Sequence, residues 1–205
     1  LDALPAESWE ARASRRDLII FNRVLGNEAW LQRVVSRVVR TGERVLELGA
    51  GDGLLARRMI RAGVAWDALD LAPAPAGWPR EAHWFQVDAR AFAPGPAHGV
   101  VAANLFFHHF DDATLAALGA RLSATARVIA IADLRRARAH EWAFRIFARL
   151  VGAHAVSRHD GRLSIRAGFR RDELPRALGL EPAHWNCSIT GNFLGAYRLL
   201  ARRRA

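Results

Sequence analysis

Apolar positions along the chain change period twice, and each change marks a change of element. Through residues 6–40 they recur at helical spacing: Leu18, Phe21, Val24, Leu25, Trp30, Leu31, Val34, Val35 and Val38. Gly26-Asn27 interrupts this stripe, so the pattern predicts two helices, the second closed by Thr41-Gly42. Beyond it come short apolar runs separated by helical segments. Strands are expected at 44–48, 66–71, 83–87, 99–103 and 127–132. Helices are expected at 54–61, closed by Gly63, at 112–123, capped by Asp111 or Asp112, and at 140–150 and 171–178. Residues 72–79 are rich in Pro and Ala and read as a loop. Finally, strand-like runs at 183–189 and 193–201 flank Thr190-Gly191-Asn192, a tight hairpin turn.

Strands alternating with helices predict an α/β fold with a mostly parallel sheet covered on both faces. The expectation is a doubly wound, seven-stranded Rossmann-like sheet that ends in an antiparallel hairpin and carries an N-terminal helical cap. Composition agrees with a globular chain, since 51% of its 205 residues are hydrophobic. No apolar run approaches the ~20 residues that span a bilayer. The start, Leu1-Asp2-Ala3-Leu4-Pro5, does not read as a secretory signal, and Cys187 is the sole cysteine, which excludes an internal disulfide. A cytoplasmic protein is the resulting expectation. The net charge of +10 raises the question of a nucleic-acid partner. All 30 basic residues are arginine, however, and they are scattered apart from Arg202-Arg203-Arg204. That composition reads as GC-rich coding bias, so nucleic acid is not the expected partner. There is no internal repeat, and the pattern leaves the oligomeric state open.

Candidate chemistry gathers at strand ends. Val45 to Gly53 reads as a buried strand with an acidic residue, Glu47, followed by Gly49-Ala50-Gly51-Asp52-Gly53, a turn that opens the next helix. Glycine at alternate positions lets a ligand lie against bare main chain. Glu47 disfavours a phosphate there and favours an ammonium group. Leu54 stands where a dinucleotide fingerprint needs its third glycine, and without lysine no Walker loop is possible. Asp70, about 20 residues on, sits at the distance from which an acidic residue can take ribose hydroxyls. Asp88 and Asn104 end the next two strands, so four successive strand ends carry polar groups.

With these motifs the chain resembles the class I S-adenosylmethionine-dependent methyltransferases over residues 42–135. Glu47 to Gly53 resembles their first motif, Asp70 their ribose-binding acid, Val87-Asp88-Ala89 their adenine-binding segment, and 104–110 (Asn-Leu-Phe-Phe-His-His-Phe) their fourth motif. The resemblance implies S-adenosyl-L-methionine as cofactor, held by Glu47, Gly49, Ala50, Gly51, Gly53, Asp70, Leu71, Asp88, Ala89 and Asn104. It also implies a single methyltransferase domain: a helical cap at 1–41, a cofactor-binding half at 42–133, and an acceptor-covering segment with the hairpin at 134–205. Three further segments resemble bacterial quinone-biosynthesis and polyketide-tailoring enzymes: 21–26, 132–136, and His159-Asp160-Gly161 with Ser164, Arg166 and Phe169. The implied partner is a small, often aromatic, acceptor. The Pro-rich loop at 72–79 departs from many relatives, which carry a helix there.

A hydroxyl acceptor benefits from a general base, for which His108, His109 and His159 are the candidates. His108 and His109 have a plainer reading as the start of the next helix, and Asp160 either orients His159 or caps a turn. Phe106 and Phe107 are placed to face a sulfonium or to fill core. Arg23, Arg135 and Arg166 are candidates for binding an acidic acceptor or the cofactor carboxylate. Metal-dependent relatives place Asp at the fourth strand end and Asp-Asn at the fifth. Here those positions hold Asn104 and Asp133-Leu134, so no metal is expected. The fourth motif lacks the prolines of enzymes that methylate planar amino groups. O-methylation of a small metabolite is therefore the leading expectation. An RNA-directed methyltransferase and a non-catalytic S-adenosylmethionine-binding protein are the alternatives.

Overall fold

The computed structural model describes residues 9–204. Its centre is a seven-stranded sheet of order β3-β2-β1-β4-β5-β7-β6. The strands are β1 Val45–Leu48, β2 Trp66–Asp70, β3 Trp84–Gln86, β4 Val100–Asn104, β5 Val128–Leu134, β6 Trp185–Gly191 and β7 Ala196–Arg203. β1 to β5 run parallel, and β7 pairs antiparallel with both β5 and β6. Strand order reverses between β1 and β4, which opens a crevice at their carboxyl ends.

Among the described residues, seven α-helices accompany the sheet: α1 Trp9–Leu25, α2 Asn27–Val38, α3 Leu54–Arg61, α4 Asp112–Thr125, α5 Arg138–Leu150, α6 Ala155–Ala167 and α7 Glu173–Ala177. Alternation along the strands separates two cores. Leu46, Leu48, Val101, Ile129 and Ile131 face α4 through Leu115, Leu118 and Leu122. On the other face, Ala68, Ala102, Ala130 and Ala132 meet Leu31 and Val35 of α2 and Leu55 and Met59 of α3. Small strand residues on this second face allow close approach of α2.

Helix starts have local causes. Gly26 takes a left-handed conformation (φ 65°) that breaks α1 from α2. Asp111 caps α4 by accepting the Thr114 N–H (2.8 Å), an arrangement worth about 1 kcal/mol. The expected helix over 6–40 begins outside the described residues, and α2 ends at Val38, short of Thr41-Gly42.

Two expectations need correction. The sequence pattern does not reveal α6, because Gly161 and several polar residues interrupt its apolar spacing. Gly161 is instead the point of contact with α5: a Cβ there would lie 2.2 Å from Phe144 Cζ. The hairpin turn falls later than 190–192. Strand pairing continues through Gly191, and the Asn192 side chain accepts the Leu194 and Ala196 N–H groups (both 3.1 Å) to close the turn. Among the described residues, no helix is long and apolar enough to cross a membrane.

Candidate active site

The turn after β1 has Gly49, Gly51 and Gly53 at φ 66°, 58° and 69°, conformations that side-chain-bearing residues rarely adopt. The N–H groups of Gly49 and Ala50 donate to the Leu69 carbonyl (2.9 and 3.1 Å), tying the turn to β2. Asp70 completes the tie. Its Oδ2 accepts the Gly51 N–H (2.7 Å) and its Oδ1 accepts the Ala72 N–H (2.9 Å). This carboxylate therefore bridges the glycine turn and the loop after β2, while remaining partly exposed.

Two aromatic contacts require glycine. A Cβ on Gly49 would lie 2.1 Å from the Phe106 ring, and one on Gly53 would lie 2.7 Å from Trp78. Trp78 belongs to the Pro-rich loop, which is fastened rather than loose. Arg57 donates to the Gly77 and Ala76 carbonyls (2.8 and 2.7 Å), and the Trp84 indole donates to the Ala72 carbonyl (3.0 Å). Trp78 and Trp84 meet edge to face, with centroids 4.8 Å apart. The loop thus covers the start of α3 without a helix of its own.

Glu47 is 3% exposed and accepts the Trp66 indole N–H (3.0 Å). Burial pushes its pKa up to about 8, with Glu28, Asp52 and Asp70 adding negative potential. A cationic ligand group would offset both effects. Asn104 ends β4, and its buried Oδ1 finds no hydrogen-bond partner among the described residues. An orphaned acceptor, a buried acid and a glycine cradle are donor chemistry that fits a nucleoside with an ammonium-bearing end. Farther along, Asp88 pairs with Arg90 (2.6 Å), which holds its carboxyl below the usual range. Ala89 is buried in the core, whereas Leu71 is 70% exposed.

The histidines separate. His108 is buried, and its Nδ1 lies 2.7 Å from Asp133 Oδ1. Asp133 is fully buried at the end of β5, and its carboxylate also accepts the N–H groups of Phe107 (3.0 Å), His108 (3.3 Å) and Leu134 (2.8 Å). A carboxylate that only accepts fixes the Nδ1–H tautomer and leaves Nε2 as the acceptor nitrogen. The His109 ring lies tilted by 36° against His108, with centroids 4.1 Å apart, within a single 3₁₀ turn, Phe107–His109. His159 lies on the exposed side of α6, and Arg166 of that helix is engaged by Glu141 (2.7 Å). Phe107 is fully buried core, and Phe106 spans the gap to Gly49. Leu105, at φ 53°, turns the chain between Asn104 and Phe106. Asp133 as the partner of His108 is missing from the sequence reading. The available signal was an acidic residue ending the strand beside β4.

No family model matches the chain. Over 71 residues, 35% of this chain, it is 39% identical to a ubiquinone biosynthesis O-methyltransferase of Xanthomonas campestris pv. campestris strain B100. The corresponding protein of Xanthomonas euvesicatoria pv. vesicatoria strain 85-10 is 38% identical over the same length. The match spans 28% of each relative's own length. Among solved structures, the plantazolicin methyltransferase BpumL, in complex with a monoazolic desmethylPZN analog and SAH, superposes with a TM-score of 0.71 at 13% identity. That alignment covers 98% of this chain and 91% of BpumL. The pyocyanin biosynthetic protein PhzM gives a TM-score of 0.62 at 14% identity, covering 97% of this chain and 60% of that one. The chain therefore shares its α/β Rossmann-like fold, with the antiparallel terminal hairpin, with these methyltransferase structures.

Proposed function

We propose that this protein transfers a methyl group from S-adenosylmethionine to a hydroxyl of a small molecule, aromatic or of quinone or polyketide type. The observation that carries the reading is the buried His108–Asp133 pair at the carboxyl ends of β4 and β5, with His108 two residues beyond the Phe106 that covers Gly49. The names of the curated relatives and the methyltransferase structures of the same fold support the reaction class. The residues that would hold the cofactor are the glycine turn, Glu47, Asp70 and Asn104, with Leu71, Asp88 and Ala89 on the adenine side.

When bound, the cofactor supplies an electrophilic methyl group on a sulfonium that leaves as a neutral thioether. His108 Nε2 accepts the proton of the attacking hydroxyl, and Asp133 holds the ring in the required tautomer and stabilises the imidazolium that forms. Phe106 excludes water beside Gly49 and offers an aromatic face to positive charge. His109 packs on the base, and exposed His159 sits on the helix that flanks it. Extensive engagement of arginines by acids favours a small acceptor over RNA: Arg44 with Asp67, Arg127 with Glu43 and Arg136 with Glu173 are examples. Steeply salt-dependent RNA binding would overturn that preference.

The test is cofactor turnover against a panel of phenols, catechols and hydroquinones. With an accepted substrate, His108→Ala and Asp133→Asn are each expected to lower kcat by about 10²–10⁴-fold, with little change in cofactor affinity. Cofactor binding with no substrate turned over would leave the non-catalytic reading standing. Full activity of both variants would remove His108 as the base.

A further inference from the structure

Helix α5 is apolar on two opposite sides, and only one of them is packed. On the inner side, Phe144 and Phe147 meet Phe21 of α1, and Ala148 is fully buried. Glu141, the single acid of the helix, holds Arg162 and Arg166 of α6 (3.4 and 2.7 Å). Trp142, Ile146 and Leu150 fall on the outer side at four-residue spacing, and they are 63%, 57% and 80% exposed. They stand one turn apart along ~12 Å of helix, so they form a continuous ridge rather than scattered surface residues. Beside the first turn of α5, where Gly195 of the hairpin lies close to His140, Phe193 is exposed as well.

Arginines border the ridge. Arg138 and Arg149 are exposed, and the Arg145 guanidinium lies 4.9 Å from the centre of the Trp142 ring. The charge of the whole chain gathers in this region. Residues 134–171 contain ten arginines and two acids, so they carry +8 of the net +10 and leave the remainder nearly balanced. Arginines that look scattered along the sequence are therefore uneven once the acids among them are counted.

Charge and shape select the partner. A second copy docked through the same face would set these arginines against one another. RNA would engage the arginines and leave the apolar ridge in water. An anionic lipid surface answers both features, because apolar side chains sink into the acyl boundary while arginine stems snorkel to the phosphates. We propose that the outer face of α5 docks this protein on an anionic bilayer, with Trp142, Ile146 and Leu150 entering the boundary and Arg138, Arg145 and Arg149 meeting the headgroups. The attachment is peripheral, since no helix among the described residues is long and apolar enough to cross a membrane. Helix α6 packs both on α5 and on the 3₁₀ turn that carries His108, so the docked helix lies one layer from the candidate active site. Bilayer contact uses none of the proposed cofactor or catalytic residues, so it stands or falls apart from the methyl-transfer reading.

Vesicle flotation tests it, with phosphatidylcholine alone set against an equal mixture of phosphatidylcholine and phosphatidylglycerol. The protein is expected to bind the mixed vesicles about tenfold or more tightly than the neutral ones, and to lose that preference in high salt. Ile146→Ser combined with Leu150→Ser, and separately Arg145→Gln combined with Arg149→Gln, are each expected to weaken binding about tenfold. These side chains lie outside the core, so the melting temperature is expected to stay unchanged and to rule out a folding defect. Brominated acyl chains are expected to quench part of the tryptophan fluorescence, and Trp142→Phe to abolish that quenching. Absent flotation, equal binding to both vesicle types, or binding that both paired variants retain would overturn the proposal. A dimer that shields Trp142, found in place of flotation, would overturn it in favour of a second copy.

Discussion

Glu47 is buried beside Trp66, and in the absence of a cation the folded protein keeps its proton up to about pH 8. The unfolded chain releases that proton near the ordinary value of 4.5. Between those limits the folded state binds the extra proton, so its stability falls as pH rises, by at most about 1.4 kcal/mol per unit. Glu47→Gln removes this slope. The variant is expected to match the wild type near pH 5 and to melt at a higher temperature near pH 9. Parallel melting curves across that range would show that Glu47 is not the source. The same substitution should weaken a ligand that brings an ammonium group, since the neutral amide cannot offset its charge. Stability and binding are thus expected to move in opposite directions at one strand position.

At the level of elements, α1, α5 and α6 pack on one another. Phe21 of α1 meets Phe144 and Phe147 of α5 edge to face, at 5.0 and 6.0 Å. Asp17 of α1 accepts the His154 N–H at the start of α6 (2.8 Å). Gly161 lets α6 close on Phe144, which Phe21 already confines. Gly161→Ala should gain about 1 kcal/mol of helix propensity and lose about 1–3 kcal/mol to overpacking. Net destabilisation confined to α5 and α6 is expected, read as faster amide exchange there than in the sheet. The opposite result, slower exchange, would mean that Phe144 has room to move. In the loop after β2, Arg57→Ala removes the bonds to the Ala76 and Gly77 carbonyls and should cost about 1–2 kcal/mol. Loss of Trp78 order, read by fluorescence, should accompany it.

Across the whole molecule, the two ends of the sheet do different work. At the amino end, buried Asp67 on β2 accepts from Arg44 (2.6 Å), His98 (3.0 Å) and the His83 N–H (2.7 Å), which together hold its carboxyl well below the usual range. A depressed folded value means that this stabilisation is complete above the unfolded value of 3.8 and is lost as pH falls below it. Asp67→Asn is expected to cost about 3 kcal/mol at neutral pH, because Arg44 and His98 lose their acceptor, and to flatten the acid limb of the stability curve. At the carboxyl end, the buried Asn104 Oδ1 has no partner among the described residues, as the proposed cofactor site requires.

Local chemistry made much of this legible in the chain itself. Glycines at 49, 51 and 53, apolar strand runs and the Asp111 cap depend on neighbours within a few residues, so the sheet and the glycine turn could be read directly. Where a local signal conflicted with a distant contact, reading failed: Gly161 looks like a helix breaker until Phe144 packs on it. The strand pairing through Gly191 likewise shifted the hairpin turn. Pairing His108 with Asp133, or setting Asn104 and Arg198 on either side of Ala132, requires strands far apart in sequence to lie side by side. Those partnerships arise from sheet order and register, which hydrophobic periodicity specifies only as a class of fold.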